Sequence, residues 1–228
     1  MTKLEELDSL VKIAHRGASA YEPENTLRSF ERAIKLKADM IELDVRQTID
    51  GHLVVIHDNT VDRTTDSTGP VSLKTLAEIK DLNAGKGERI PTLDEVLDLG
   101  RGRTKFVLEI KENGIEDKVV DILNRNKLFD EAFVVSFKSN RLKMIKQLEP
   151  KVKTGLILFA SLDPVRLAKN CGADVVAPFR WFVTSGLVER AKDNGLLTFT
   201  WTVDETIKAH KLKEAGVSGI VTNKPDII

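Results

Sequence analysis

Short apolar runs alternate with longer amphipathic stretches along the whole chain. Period-two alternation or continuous β-branched character marks the runs as strands; apolar residues three and four apart mark the stretches as helices. Nine segments read as strands: 11–15, 40–46, 53–57, 105–111, 133–137, 153–158, 174–178, 197–203 and 219–222. Eight read as helices: 25–37, 73–82, 92–99, 115–126, 139–149, 163–171, 185–194 and 204–214. Helix 25–37 carries Leu27, Phe30, Ala33 and Ile34 on one face. Start signals accompany several helices. Asp163-Pro164 is an N-cap followed by proline at the first helical position. Thr92 with Glu95 forms a capping box, and Ser139 and Asp204 stand at cap positions.

Strands alternating with helices predict βαβ units and a parallel sheet. Right-handed repetition over eight strands closes a TIM-type (β/α)8 barrel, an α/β fold. An open doubly wound sheet is disfavoured, because no glycine-rich phosphate loop follows the first strand. Nine strands compete for eight places. The connection from Arg46 to Leu53 is too short for a parallel crossover, and Asp50-Gly51 is a hairpin turn signal. Strand 53–57 therefore runs back antiparallel beside 40–46, with His57 opposite Asp44, and the barrel is expected to be irregular. Segment 58–91 is rich in Thr, Asp and Gly and holds one clear helix. It reads as a small insertion after the third strand, beside the barrel mouth, within one domain spanning 1–228.

Composition narrows the classes. The 228 residues contain 35 Lys+Arg and 35 Asp+Glu, so the net charge is zero. That excludes a nucleic-acid protein working through a broad basic face. A 41% hydrophobic content excludes a disordered chain. Cys171 is alone, so no internal disulfide forms; the usage fits a reducing cytoplasm. Following Leu167 and Ala168 on an apolar stripe, it reads as core. The first ten residues lack the apolar run of a signal peptide, and no stretch of 18 apolar residues predicts a membrane span.

Barrel active sites lie at the C-terminal ends of strands. There the sequence places His15-Arg16, Glu42 and Asp44, His57-Asp58, Glu109 and Lys111, and Trp201. Alternation gives Glu42 and Asp44 one face while Ile41, Leu43 and Val45 take the other; Glu109 and Lys111 oppose Leu108 and Ile110 in the same way. Converging carboxylates need a cation, and oxygen-only ligands suit Mg²⁺ or Ca²⁺. Two histidines suit general acid–base work, and Arg16 and Lys111 offer fixed positive charge to an anion. The three acids against these two cations leave one negative charge. A divalent ion reverses its sign and matches a singly charged phosphodiester. Trp201 serves either a core layer or a substrate wall. The pair Trp181-Phe182 reads as local packing, His52 as a turn residue and His210 as a helix surface.

At these residues the chain resembles the glycerophosphodiester phosphodiesterase family. The resemblance runs through His15-Arg16-Gly17, Pro23-Glu24-Asn25-Thr26 and Phe30. It continues through Glu42-Leu43-Asp44-Val45, Thr48, Asp50-Gly51 and Val54-Val55-Ile56-His57-Asp58. Asp62-Arg63-Thr64-Thr65, Gly69 and Ile90-Pro91-Thr92-Leu93 resemble the insertion, and Leu108-Glu109-Ile110-Lys111 the fourth strand. Trp201-Thr202-Val203 and Gly219-Ile220-Val221-Thr222-Asn223-Lys224-Pro225 resemble the closing blocks, where Asp is more usual than Asn223. The resemblance implies His15 and His57 as the acid–base pair, Glu42, Asp44 and Glu109 as ligands of one Mg²⁺ or Ca²⁺, Arg16 and Lys111 on the phosphodiester, and Trp201 along the glycerol. It implies a TIM barrel cleaving small-molecule glycerophosphodiesters, such as glycerophosphocholine or glycerophosphoethanolamine, to glycerol 3-phosphate and an alcohol. Nucleic acid and stable membrane insertion are not implied; monomer and dimer both remain open. Two alternatives stand beside it: a phospholipase-like diesterase acting on lysophospholipids, and a non-catalytic barrel.

Overall fold

A computed structural model describes residues 10–228; the signal-peptide reading falls almost wholly on residues 1–9 and lies outside them. Eight parallel strands close a barrel: β1 (Val11–Ala14), β2 (Met40–Gln47), β4 (Lys105–Ile110), β5 (Ala132–Ser136), β6 (Lys153–Leu158), β7 (Val175–Pro178), β8 (Leu197–Thr200) and β9 (Gly219–Thr222). The seam is β1 against β9, with Val11 beside Gly219 and Ala14 beside Thr222. The ninth strand, β3 (Leu53–Val55), pairs antiparallel with β2 outside the barrel.

Register in that hairpin differs by one from the sequence reading. Val45 pairs with Val55, and the Ile56 amide donates to the Asp44 carbonyl at 2.9 Å, so Ile56 rather than His57 faces Asp44. The cause is loop length. The Thr48 amide reaches the His52 carbonyl at 3.0 Å, leaving three loop residues instead of two, with Gly51 at φ +86°. Such loops place a glycine in the left-handed region.

The helices are α1 (Leu27–Lys35), α2 (Leu76–Asp81), α3 (Leu93–Gly100), α4 (Glu116–Arg125), α5 (Ser139–Leu148), α6 (Pro164–Asn170), α7 (Ser185–Asp193) and α8 (Thr206–Glu214). Thr92 and Glu95 form the capping box of α3, and Asp163 caps α6 ahead of Pro164. Two cap expectations fail. Lys138 and Glu205 occupy the cap positions of α5 and α8 without side-chain caps. Helix α1 begins after Thr26, whose hydroxyl accepts the Ser29 amide, because Asn25 is turned to Asp44 instead. Segment 73–82 divides into a 3₁₀ turn, Val71–Leu73, and α2. Residues of 54–90 bury an apolar cluster of their own, including Val61, Val71, Ile79 and Ile90.

Alternation sorts the two barrel faces as the sequence indicates. Ile41, Leu43, Val45, Leu108 and Ile110 pack outward against the helices with Phe30, Leu97 and Val119. Ile13, Met40, Val107, Phe133, Val135, Val175 and Phe199 fill the interior. Cys171 is buried among Leu142, Val165 and Ala191. No helix among the described residues is long and apolar enough to cross a membrane.

Candidate active site

The charged side chains lie above this apolar plug. Met40, Glu42 and Asp44 share one face of β2: methionine fills the barrel, and the two acids follow at its mouth. Val107, Glu109 and Lys111 repeat the pattern on β4. Strands β1 and β4 end just before His15 and Lys111, and β3 ends two residues before His57, so these residues leave the ladder at the mouth. A cavity of about 210 Å³ is lined by His15, Arg16, Glu42, His57, Glu109 and Lys111 on one side. Val135, Ile157, Ala177, Phe199, Trp201 and Val221 line the other. His52 and His210 are exposed and lie outside it.

The β1–α1 turn is shaped to deliver Arg16. Its φ is +54°, and its amide donates to Glu42 Oε2 at 2.9 Å. Gly17 follows at φ +81°, and a Cβ there would stand 2.6 Å from the Ser29 carbonyl carbon, so only glycine fits. The Arg16 guanidinium reaches Asp44 Oδ2 at 3.3 Å and Glu24 Oε1 at 2.9 Å. Lys111 Nζ stands 2.7 Å from Glu109 Oε1 and 3.0 Å from Asp44 Oδ1. Lys111 is thus a half-buried member of two ion pairs.

One oxygen from each of Glu42, Asp44 and Glu109 lies within 4.8 Å of the others. Burial, and then the repulsion of Asp44 and Glu109, raises the Glu42 carboxyl well above its ordinary range. Glu109 is also raised by burial, although Lys111 opposes the shift. Burial would raise Asp44 as well, but Lys111 and Arg16 hold it down at about 2. Asp44 Oδ1 is buried and, despite the nearby Lys111, accepts no hydrogen bond. A hard divalent cation fits this set: three oxygen donors, mutual repulsion and an unsatisfied lone pair.

The surroundings of the two histidines differ. His57 Nδ1 lies 2.6 Å from Asp58 Oδ1, and Arg63 clamps Asp58 at 2.7 Å. His15 Nδ1 lies 2.7 Å from Asn223 Oδ1. Asn223 is oriented by Asp204, which accepts its side-chain amide at 2.6 Å and its backbone amide at 2.8 Å. A carboxylate only accepts, so the Asn223 NH₂ faces Asp204 and its oxygen faces His15. That oxygen also only accepts, so His15 carries its proton on Nδ1 and leaves Nε2 as a free base. Burial, and then the Arg16 charge, lowers His15 to about 4; Asp44 partly opposes them. Burial also lowers His57, against the pull of Asp44 and Asp58.

Sequence reasoning named every member of the inner set and missed its supports. Asn25 donates to Asp44 Oδ2 at 2.8 Å from a buried position. Asp204, read as a helix cap, instead holds Asn223. Asn223 is more than a structural detail, because it touches His15. Asp58 stood in the sequence beside His57, without a role; Asn223 and Asp204 lie across the seam from His15 and left no local signal. Trp201 packs against the core layer and also lines the cavity. Its indole N–H donates to the Ala177 carbonyl at 2.9 Å, and its ring packs on Phe137 and Phe179 while lining the cavity. Trp181 packs edge-on against Phe179, yet 68% of it is exposed.

An acidic triad, two cations and two imidazoles at the mouth of a (β/α)8 barrel define a phosphoric diester hydrolase. The model of the glycerophosphoryl diester phosphodiesterase family matches residues 15–227, and the chain belongs to that family. It is 42% identical to the glycerophosphodiester phosphodiesterase of Caldanaerobacter subterraneus subsp. tengcongensis over 230 residues, 95% of each chain. It is 34% identical to a glycerophosphodiester phosphodiesterase of Bacillus subtilis, covering 96% of this chain and 85% of that one. Among solved structures, an Agrobacterium tumefaciens glycerophosphodiester phosphodiesterase superposes with TM-score 0.89 at 29% identity, covering 96% of this chain and 98% of that one. An Oleispira antarctica phosphodiesterase in complex with its product sn-glycerol-3-phosphate superposes with TM-score 0.89 at 28% identity, covering 96% and 94%.

Proposed function

We propose that the chain hydrolyses glycerophosphodiesters of the deacylated-phospholipid kind to glycerol 3-phosphate and an alcohol. Its base is His15, its acid His57, and its cofactor one Mg²⁺ or Ca²⁺ held by Glu42, Asp44 and Glu109. The observation that carries this reading is the matched pair of imidazoles. Each donates from Nδ1 to a fixed acceptor, which leaves Nε2 of the neutral ring without a proton, and each lines a cavity that Glu42 and Glu109 also line. The product complex of the Oleispira antarctica relative supports the choice of product.

The cation, when bound, supplies Lewis-acid polarisation of the phosphoryl oxygens. Arg16 and Lys111 hold the diester and stabilise the charge that develops on it. His15 Nε2 takes the proton of the nucleophile, either the glycerol 2-hydroxyl or a water. His57 returns a proton to the leaving alcohol oxygen. The assignment follows the partners: neutral Asn223 stabilises an imidazolium only weakly, whereas the Asp58 carboxylate does so with a full charge. Trp201 walls the glycerol, and buried, lone Cys171 fits a reducing cytosol. Product analysis on a panel of glycerophosphodiesters, with and without Mg²⁺ or Ca²⁺, tests the reading. Absence of glycerol 3-phosphate from every substrate defeats it, and a trapped cyclic phosphate identifies the 2-hydroxyl as nucleophile.

One observation favours a second reading, cleavage of lysophospholipids. Phe159, Phe179, Trp181 and Phe182 form an aromatic rim continuous with Trp201, and Phe159 and Trp181 are largely exposed. Faster turnover of lysophospholipid than of soluble glycerophosphodiesters would establish it.

A further inference from the structure

A second, more open cavity of about 410 Å³ meets the first at His57, Glu109, Lys111 and Phe137. His15 and Trp201 line only the inner cavity, whereas His57 lines both. In a displacement at phosphorus the attacking and leaving oxygens stand roughly in line on opposite sides. With His15 serving the attack and His57 the departure, the leaving alcohol arm lies in the outer cavity, and the nucleophile, with the glycerol when its 2-hydroxyl attacks, lies in the inner one.

The outer cavity is basic. Arg46, Lys111, Lys138 and Arg141 line it, against Asp58 and Glu109. Both acids are engaged: Glu109 by Lys111 and its place in the triad, Asp58 by His57 and Arg63. Arg46 is anchored on the His57 carbonyl at 2.9 Å and lies 3.5 Å from Glu112. Arg141 is held by uncharged groups, the Asn113 side-chain oxygen at 2.8 Å, the Ile110 carbonyl at 2.8 Å and the Ser136 hydroxyl at 3.4 Å. Its guanidinium is therefore fixed in place with no carboxylate bonded to it. Lys138, exposed at the start of α5, adds a second charge beside it. Lys111 and Arg46 are paired with carboxylates, so Arg141 and Lys138 carry the unpaired charge, which the single ring of Phe137 does not offset for an incoming ammonium.

We propose that this cavity is the alcohol subsite, and that its basic wall selects alcohols bearing an anionic group over the cationic alcohols choline and ethanolamine. The proposal rests on the reading above, in which His57 protonates the leaving alcohol. Selection works in both directions: a phosphate or carboxylate on the alcohol meets Arg141 and Lys138, and a quaternary or primary ammonium meets like charge. A neutral polyol, hydrogen-bonding to Arg141 and Asn59, falls between.

The test is kcat/KM on three substrates under one set of metal and salt conditions: glycerophosphocholine, glycerophosphoglycerol and glycerophosphoinositol 4-phosphate. The expected order rises in that sequence, with at least about a tenfold span between the extremes. Added salt narrows the span, because the wall is partly exposed. Arg141→Gln lowers the ratio of the anionic to the choline substrate, and Lys138→Glu, at an exposed side chain that folding does not need, lowers it as well. Equal or better turnover of glycerophosphocholine overturns the proposal, as does a ratio unmoved by Lys138→Glu. Failure of every diester to react defeats the functional reading instead, so the two failures are distinguishable.

Discussion

Strands β1, β2 and β4 turn Glu42, Asp44 and Glu109 towards the barrel mouth, with His15, Arg16 and Lys111 just beyond their ends. Strands β5 to β9 line the same cavity with Val135, Ile157, Ala177, Phe199 and Val221. The backbones are alike, yet the two arcs do opposite things. The apolar arc gains from leaving water, at about 25 cal/mol per Å² of buried surface. The ionic arc loses: its carboxylates are desolvated and repel one another, which drives Glu42 far from its ordinary ionisation. Half of the mouth holds the fold together, and that margin tolerates a strained half devoted to chemistry.

The sharpest way to break this contrast is to remove the cation. Chelation should abolish turnover, and added Mg²⁺ or Ca²⁺ should restore it; full activity in excess chelator would show that the ionic arc is not a metal centre. Next in size, His15→Ala and His57→Ala should each cost about 10²–10⁴ in kcat. Near-parental kcat in both would leave the arc without its proposed acid and base.

Substitutions chosen one per arc separate stability from activity. Glu42→Gln removes one of three repelling buried carboxylates, so the melting temperature of the metal-free protein should rise while cation affinity and turnover fall. Phe133→Ala, in the apolar plug against Phe199, should cost about 3–5 kcal/mol of stability and spare the turnover of molecules that remain folded. A lower melting temperature for Glu42→Gln would contradict the view that the ionic arc is strained.

A smaller effect sharpens the role of His15. Asn223→Ala should lower kcat about tenfold to a hundredfold, because the imidazole loses its fixed tautomer. Exchanging the pair, Asp204→Asn with Asn223→Asp, keeps the hydrogen bonds but sets a carboxylate on Nδ1. The imidazolium is then stabilised, the His15 pKa rises from about 4, and base function is lost at higher pH than in the parent. The acidic limb of the pH–rate profile should move up. An unmoved limb would detach Asn223 from the base.

Much of the ionic arc was legible because it breaks a rule. Glu42 and Asp44 interrupt a strand at period two, and burying acids on one face while Ile41 and Leu43 pack on the other calls for a cation. The outlying strand was legible too, since a six-residue connection cannot cross a helix. What stayed hidden depends on distant partners. Asp204 has the residue type and place of a helix cap, but Thr222 and Asn223, at the end of the neighbouring strand β9, take its carboxylate. The hairpin register turned on whether its loop held two residues or three, and Asp50-Gly51 fits both. The second cavity was illegible for the same reason, since Arg46 comes from β2 while Lys138 and Arg141 come from the start of α5, with nothing in the sequence to join the two places.

The His15–Asn223 hydrogen bond joins residues 208 positions apart, across the seam where β9 meets β1. The carboxylate triad needs only the pairing of β2 with β4. Bringing the chain ends together carries the larger loop-closure entropy, and distant pairings form slowly. On those grounds the carboxylate triad should assemble in a refolding chain before the proposed base, His15, is aligned. In a stopped-flow refolding experiment, metal binding precedes turnover, and the lag between them times the closure of the barrel.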